Sequence, residues 1–538
     1  MDHGKDPECQ ERREEVKGSW DAALLEVFSQ ALSQVAEEMG VVLGRSGRSP
    51  NIKERRDYSC ALFSARGELL AQAAHIPVHL GSLPLSMDYL VRHLRSKGRK
   101  PREGDVYIWN DPFSGGTHLP DITMAAPYFL GHKLMGFGVV RAHHSDVGGR
   151  APGSMPVGEE VYQEGLIIPL TLYAEGGRVK EEVEELILAN TRTPEERKGD
   201  LRAQMGALMV GARRFRSLVE DWGEDFEEME RELLDYAERL TRETLGELEG
   251  EYEFVDYLDD DGKGREDINI NVKLTFKDGH MTADFRGTHP EVEGPLNCPP
   301  AVTHSAVYYV LRCLLPPHAP FNQGCLRRVR VVLPERSLVN ASWPRAVAGG
   351  NVETSQRIVD VLLGALSQAL PDRIPAASYG TMTNFSFGGT APRPFAYYET
   401  IAGGCGARPG KDGLDATHNH MTNTMNTPVE ALEFYYPVRV LEYSMREGSG
   451  GKGLFRGGDG VRRKFLFLER ASVSLLADRR RRGPYGLKGG EPGKPGEDYL
   501  VEPDGRRTRL PSKVELKVKP GDVIELNTPG GGGWGKEG

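Results

Sequence analysis

The sequence of 538 residues contains few cysteines, and its six thiols are scattered with no C-x-x-C pair among them. A disulfide framework or a zinc knuckle would cluster cysteines, so this pattern predicts reduced thiols in a cytoplasmic protein. The first 18 residues are charged throughout and lack the apolar segment of a secretory signal. No run of about 20 apolar residues occurs, because Pro127, His132 and Lys133 interrupt the least polar stretch, and we expect no membrane span.

The sequence also lacks an excess of positive charge and the common nucleotide-binding motifs. Its 68 basic and 78 acidic residues give a net charge of −10, which argues against a general nucleic-acid binder. There is no G-x-x-x-x-G-K-[ST] phosphate loop, and a G-x-G-x-x-G at residues 448–453 leads into no helix and predicts a turn. The run Arg479 to Arg482 predicts a solvated or salt-bridged loop, with a partner or phosphate contact as the less favoured alternative.

Nucleophilic catalysis is weakly supported. No G-x-S-x-G elbow is present, so a Ser-His-Asp triad of that type is not expected. Cys405 lies in the glycine-rich segment GGCGAR, but no base can be assigned to it from the sequence.

Length and patterning predict a loop-rich, multi-domain α+β protein with antiparallel sheets and packed long helices. Apolar residues at helical spacing predict helices over 21–39, 212–249 and 301–315, and the Asp-Gly pair at 261–262 predicts a hairpin. We expect three regions. Residues 1–250 would carry the candidate metal loops and a long helix, 251–430 polar substrate loops, and 431–538 a β-rich module.

Two loops that follow strand-like segments contain the residues best suited to bind a metal. The first offers His118 and Asp121 as an H-x-x-D pair, and the second offers His143, His144 and Asp146. His143 lies 22 residues after Asp121, a distance that suits a strand, a turn and a returning strand. Imidazole nitrogen and carboxylate oxygen together suit Zn, Mn or Fe, so the pattern predicts a divalent metal site.

A third cluster contains Asp57, His75 and His79. The two histidines have the spacing of one helix face, but Pro77 between them argues against a helix. Substrate contact, simple packing and metal ligation therefore stay open for this pair, and Asp57 is a candidate additional carboxylate ligand. The loop AGGNVETSQR contains Asn351 and Glu353, which would either stabilise turns or hydrogen-bond an amide-like substrate.

Several long segments resemble the hydantoinase B / oxoprolinase B family, which also includes the large subunits of acetone-type carboxylases. They are NDPFSGGTHLPDIT, RAHHSDVGGRAPGSMP, AGGNVETSQR, NTPVEALEFYYP and the closing TPGGGGWG. The resemblance runs from about residue 18 to the C-terminus. The chain departs from it at residues 63–67, where FSARG replaces the frequent F-D-A-x-G and leaves no carboxylate.

The resemblance implies a cytoplasmic, hetero-oligomeric enzyme of two parts. A separate hydantoinase A-like subunit would bind ATP and phosphorylate a cyclic amide carbonyl or an enolate, while this B-type chain would hold the metal. The carboxylase relatives imply His118, Asp121 and His143 as metal ligands, and the lactam-hydrolysing relatives imply a carboxylate at Asp57.

Chain length favours the hydrolytic branch, because the carboxylase subunits are considerably longer. We expect ring opening of a hydantoin, 5-oxoproline or another lactam, with His144 or Asp146 as general base and Arg141 offsetting negative charge. Three alternatives stay open: a ketone carboxylase subunit, a non-catalytic scaffold braced by a metal, and a half-enzyme that folds poorly without its partner.

Overall fold

The structure, a computed structural model, describes residues 22–73 and 75–537. Seven strands of the N-terminal half form one antiparallel sheet: β1 (Tyr58–Ser64), β2 (Leu69–Gln72), β3 (Val106–Trp109), β4 (Asp121–Leu130), β5 (Lys133–His143), β6 (Thr171–Glu175) and β7 (Arg178–Val179). Their order is β2-β1-β5-β4-β3-β6-β7. The β4–β5 hairpin pairs along its whole length, which returns the chain to its starting edge.

Helices cover both faces of this sheet. They are α1 (Ala22–Ser46), α2 (Pro50–Lys53), α3 (Pro77–Leu80), α4 (Leu83–Ser96), α5 (Glu181–Ala189), α6 (Pro194–Trp222) and α7 (Phe226–Gly246). Phe28 and Leu32 of α1 join Leu201 and Phe215 of α6 in a core on one face, since apolar residues at three- and four-residue steps share a side of a helix. Helix α4 packs on the opposite face.

The segment predicted as a single helix over 212–249 is two helices, so that prediction is wrong. Helix α6 ends at Trp222 and α7 begins at Phe226. Gly223 between them has φ 58° and ψ −129°, a conformation that residues with a side chain rarely adopt. The turn brings Phe226 against Phe28, with ring centroids 5.4 Å apart, so both helices contribute to one core.

The central part combines a four-stranded sheet with helices. Its strands are β8 (Gly250–Asp260), β9 (Glu266–Lys277), β10 (His280–Asp284) and β11 (Val329–Val332), in the order β11-β10-β9-β8. The predicted hairpin at 261–262 is confirmed, because β8 pairs antiparallel with β9 and Gly262 has φ 73°. The helices are α8 (Pro300–Leu314), α9 (Gln323–Leu326) and α10 (Ser355–Ala369), the last entered through a π-helical turn, Gly350–Thr354.

Two further sheets and a short helix, α11 (Val429–Tyr435), complete the chain. One sheet has the order β13-β12-β16-β19, formed by β12 (Asn384–Gly389), β13 (Phe395–Thr400), β16 (Ala471–Leu476) and β19 (Lys513–Val518). The other has the order β14-β15-β20-β17-β18, formed by β14 (Val438–Arg446), β15 (Gly460–Phe467), β17 (Glu497–Val501), β18 (Arg507–Arg509) and β20 (Val523–Asn527). Side chains from both sheets share one core.

This architecture confirms the predicted α+β class with antiparallel sheets and packed helices. The first of the two C-terminal sheets takes strands from both sides of residue 430, and the division into three regions stays a prediction. The arginine run is salt-bridged: Arg479 lies 2.6 Å from Asp256, and Arg480 lies 2.8 Å from Asp498. Within residues 22–73 and 75–537, no helix is both long and apolar enough to cross a bilayer.

Candidate metal centre

Three predicted ligands meet at the open end of the β4–β5 hairpin. Asp121 is the first residue of β4 and His143 the last residue of β5, and the two are paired in register. His118 lies three residues before β4 in a glycine-bearing loop. Because the hairpin fixes two of the three groups, the cluster needs only a short loop to add the third.

The three side chains bring their donor atoms to one point. His118 Nε2 lies 3.2 Å from His143 Nδ1 and 3.3 Å from Asp121 Oδ1, and His143 Nδ1 lies 3.4 Å from the same oxygen. All three residues are buried, and Asp121 Oδ1 has no hydrogen-bond partner. Two imidazole nitrogens and one carboxylate oxygen converging away from water form a donor set that fits a divalent ion.

The charges around Asp121 favour its ionised form. Burial by itself would raise the pKa of this carboxyl, but the nearby imidazoles of His118, His79 and His143 bring that pKa well below its usual value. Thr117 Oγ1 donates to the other carboxylate oxygen, Oδ2, at 2.5 Å. The carboxylate is therefore held as an anion, the form a metal ligand requires.

His79 also lies beside this cluster. Its Nε2 is 3.4 Å from Asp121 Oδ2, and its Nδ1 is 3.1 Å from the hydroxyl of Ser59. That hydroxyl accepts a hydrogen bond from Ile76 N at 3.2 Å, so Ser59 is fixed and restrains the His79 ring at Nδ1. Of the two histidines predicted together, the structure brings only His79 to the metal ligands.

His75 faces a different environment. Its ring lies 5.0 Å from that of Tyr58, and its Nε2 is 3.8 Å from Glu37. Burial lowers the pKa of His75 to about 4, against the opposing charge of Glu37. Pro77 begins helix α3, so His75 precedes that helix while His79 lies within it.

Asp57 is adjacent to the cluster through its backbone. Its carbonyl accepts a hydrogen bond from His143 N at 2.9 Å, and its carboxylate lies 3.6 Å from Arg55 Nη2. The residue is 6% exposed. The converging donor atoms belong to the other three residues, and a ligand role for Asp57 stays a prediction.

Tyr398 covers the cluster and was missed by sequence reasoning. Its ring stacks on His143, with centroids 4.5 Å apart and planes at 14°. The guanidinium of Arg55 lies 5.0 Å from the same ring and donates to Tyr398 O at 3.2 Å. Nothing in the segment FAYYET marks this tyrosine, because it reaches the cluster from β13, more than 250 residues along the chain.

Glu353 is linked to Tyr398 by one intervening side chain. Tyr398 Oη donates to Asn384 Oδ1 at 2.7 Å, and Asn384 Nδ2 donates to Glu353 Oε1 at 2.8 Å. The other oxygen of Glu353 is buried without a partner, as is Asn351 Oδ1 in the same π-helical turn. Burial raises the pKa of Glu353 to about 7. These residues form a buried hydrogen-bonded chain, and the predicted contact of Asn351 and Glu353 with a substrate stays a prediction.

His144 and Asp146 point elsewhere. His144 Nε2 lies 3.0 Å from Gln204 Oε1 on helix α6, and burial lowers the pKa of His144 to about 4. Asp146 is buried in an ion pair with Arg192, 2.7 Å away. The structure does not bring either side chain to the three converging ligands.

Arg141 is buried on β5 beside the cluster. It donates to Thr123 Oγ1 at 2.8 Å and to the hydroxyls of Ser82 and Ser86 at 2.6 Å each. Burial lowers the pKa of Arg141 to about 10, against the opposing charge of Asp121. Its contacts connect the hairpin to the start of helix α4, which positions the metal loops.

A family profile described as hydantoinase B/oxoprolinase matches residues 21–537. The chain belongs to the hydantoinase B/oxoprolinase family. An uncharacterised protein of Methanocaldococcus jannaschii is 44% identical to this family member over 96% of the chain and 91% of that protein. The B-type component of a putative D-/L-hydantoinase from Pseudomonas sp. (strain NS671) is 32% identical, over 96% of the chain and 90% of that protein.

Some relatives are longer than this chain. The 5-oxoprolinase 1 of Arabidopsis thaliana is 40% identical over 96% of this chain, which spans only 42% of the plant enzyme. Among solved structures, the ATP-dependent caprolactamase from Pseudomonas jessenii matches with a TM-score of 0.89 and 30% identity, over 96% of this chain and 92% of that one. An acetone carboxylase matches with a TM-score of 0.87 and 18% identity, over 96% and 76%, which is a likeness of fold.

Proposed function

We propose that this chain is the B-type component of an ATP-dependent cyclic-amide hydrolase. A separate A-type subunit uses ATP to phosphorylate the amide carbonyl, and this chain completes ring opening. The observation that carries the proposal is the convergence of His118, Asp121 and His143 in a family member similar to a caprolactamase and to 5-oxoprolinases. An unstrained lactam is resonance-stabilised, so activation with ATP is chemically reasonable.

The donor set suits Zn, Mn or Fe. A divalent ion bound there supplies a Lewis acid that polarises an oxygen and lowers the pKa of bound water. Asp121 stays anionic beside the imidazoles, and Tyr398 stacks on His143 and keeps one side of the cluster dry. Arg141 acts through position, since its hydrogen bonds hold Thr123 and the start of helix α4.

We assign proton transfer to His79 rather than to His144 or Asp146. His79 Nε2 lies 3.4 Å from Asp121 Oδ2, while Ser59 fixes the opposite ring nitrogen. An imidazole held this way can take a proton at Nε2 from a water that attacks the phosphorylated carbonyl carbon, and return it to the amide nitrogen as the C–N bond breaks. A second water then hydrolyses the remaining acyl phosphate to the carboxylate and inorganic phosphate. His144 and Asp146 are occupied by Gln204 and Arg192, so their predicted role as base has less support.

The test uses this chain co-purified with an A-type subunit. Ring-opened product and ADP are measured for hydantoins, 5-oxoproline, simple lactams and ketones, with and without bicarbonate, and bound metal by elemental analysis. We expect lactam-dependent product without bicarbonate. Asp121→Asn should lose bound metal and product while keeping the thermal midpoint of the metal-free original chain. The control Asp88→Asn, on an exposed helical face, should keep its metal and its product formation.

Two results contradict the proposal. If Asp121→Asn keeps its full metal content and forms product at the full rate, Asp121 is not a metal ligand and the proposed site is wrong. ADP release and product that require both a ketone and bicarbonate would make the chain part of a carboxylase, and the proton-transfer role of His79 in hydrolysis would be wrong.

A further inference from the structure

A cleft of about 1220 Å³ lies between the end of α1, the start of α6 and the turn before β13. It is called the basic cleft here because cationic side chains dominate its lining. Arg45, Arg48 and Lys53 come from the stretch that runs from the end of α1 into α2. Arg192, Lys198 and Arg202 come from the residues just before α6 and its first turns. Arg393 adds a seventh cation against three glutamates, in a chain whose net charge is −10.

Several of these cations are not neutralised. Arg192 pairs with Asp146 at 2.7 Å, and Arg202 lies 3.7 Å from Glu184. In contrast, the ion pairs within residues 22–73 and 75–537 include neither Arg48 nor Arg393, and both residues are exposed. Unpaired arginines gathered in one cleft create a positive potential that attracts an anionic partner.

Arg48 is held in place rather than free on the surface. Its backbone N–H donates to Asp200 Oδ1 at 2.7 Å, and the same oxygen accepts from Ser49 N at 3.0 Å. Its side-chain stem lies against Gly199 of helix α6, where an added Cβ would collide with Arg48 Cγ. The glycine therefore lets the arginine cross the helix and reach the cleft.

The start of α6 adds to this potential. Thr193 caps this 29-residue helix without a side-chain capping bond, and its buried Oγ1 has no partner. Pro194, Glu195 and Glu196 of the first turn line the cleft, so the positive end of the helix dipole lies there, partly offset by the two carboxylates.

Aromatic side chains border the cationic lining. Tyr435 lines the cleft with 47% of its surface exposed, and the adjacent Phe434 is 81% exposed. Arginine and aromatic residues are the types enriched at protein–protein contact centres. A small-molecule pocket usually encloses about 300–1000 Å³, and this open cleft is larger.

We propose that the basic cleft is the docking surface for an acidic face of a polypeptide partner, with Phe434 and Tyr435 as its apolar anchors. This identification rests on the proposed function: the partner is the ATP-using A-type subunit. The charge of the cleft suits either kind of anion, but its size and the exposed aromatic residues beside it favour a polypeptide over a small phosphate compound. The metal ligands are not part of the cleft lining, so substitutions in the cleft should act on association alone.

The experiment measures, at low and high salt, the dissociation constant between this chain and a purified A-type subunit. Arg48→Glu combined with Arg393→Glu should weaken binding at least tenfold at low salt, and the loss should shrink as salt screens the charges. Gly199→Ala should weaken it by a smaller factor by displacing Arg48. The matched control Arg213→Glu, an exposed arginine on α6 outside the cleft, should bind like the original chain.

Unchanged affinity in the double variant, with its thermal midpoint preserved, would overturn the docking surface and leave the proposed function intact. If the original chain binds no A-type subunit and no lactam is opened, the proposed function fails instead. Titration with pyrophosphate and ADP tests whether the cleft binds a small anion instead. If either compound binds tightly, and the double variant abolishes that binding but still binds the A-type subunit, the cleft is a small-anion site. That result would refute the inference.

Discussion

Glu164 is a buried carboxyl that joins the loop after β5 to the segment leading into helix α10, and its substitution tests whether it is protonated in the folded protein. The side chain is fully buried, and its Oε1 accepts hydrogen bonds from Val347 N at 2.7 Å and Ala348 N at 2.8 Å. The other oxygen has no partner. Burial raises the pKa of this carboxyl to about 8, although both backbone hydrogen bonds oppose the shift.

The folded and unfolded chains hold different numbers of protons at Glu164, and this difference sets how stability changes with pH. An unfolded glutamate titrates near 4.5, so between that value and about 8 the folded protein retains a proton that the unfolded chain has released. The contribution of Glu164 is therefore full below pH 4.5 and is lost as pH rises through about 8. Each pH unit above 4.5 costs about 1.4 kcal/mol, so the folded protein is about 3 kcal/mol less stable at pH 7 than below pH 4.5.

Glu164→Gln keeps an oxygen for the two N–H groups and cannot ionise. We expect the variant to match the original chain at about pH 5 and to exceed its urea midpoint increasingly towards about pH 8. The control Glu185→Gln, on an exposed face of α5, should not change the pH dependence. If the Glu164 variant and the original chain lose stability in parallel over this range, the carboxyl is ionised in the folded protein and the reasoning is refuted.

Two further substitutions test how the metal loops and helices are held. Arg141→Met should lower the free energy of unfolding by about 3 kcal/mol, because three buried hydroxyls lose their donor; an unchanged urea midpoint would show that these hydrogen bonds contribute nothing. Gly223→Ala should cost about 1–2 kcal/mol because of the positive φ, whereas Gly246→Ala, in open space near the end of α7, should be neutral or stabilising. Equal midpoints for the two alanine variants would contradict the explanation of the helix break.

The metal cluster was predictable because its geometry is mostly local. Asp121 and His143 belong to one hairpin, whose antiparallel register brings them opposite each other, and His118 lies in the short loop just before that hairpin. The break at Gly223 was harder to predict, since the apolar spacing continues through it at helical period. Only a glycine at that position hinted that the backbone leaves the helix.

The remaining parts of the site depend on long-range packing, which residue spacing does not encode. Tyr398 and Asn384 reach the cluster from neighbouring strands of a different sheet. The same limit explains His144, which follows His143 in sequence yet contacts helix α6, because neighbouring residues at a strand end point to opposite sides.

The position of Arg55 shows how these distant parts become one site. This guanidinium is fully buried, lies at 5.0 Å from the Tyr398 ring, and donates to Thr400 Oγ1 at 2.9 Å, so it links the segment before β1 to strand β13. Because a buried guanidinium is costly without partners, the fold gains from docking these elements together. That docking also places Tyr398 over His143. The same contacts that satisfy a buried charge therefore close one side of the metal cluster, so its chemistry depends on the central and C-terminal parts as well as on the hairpin that provides the ligands.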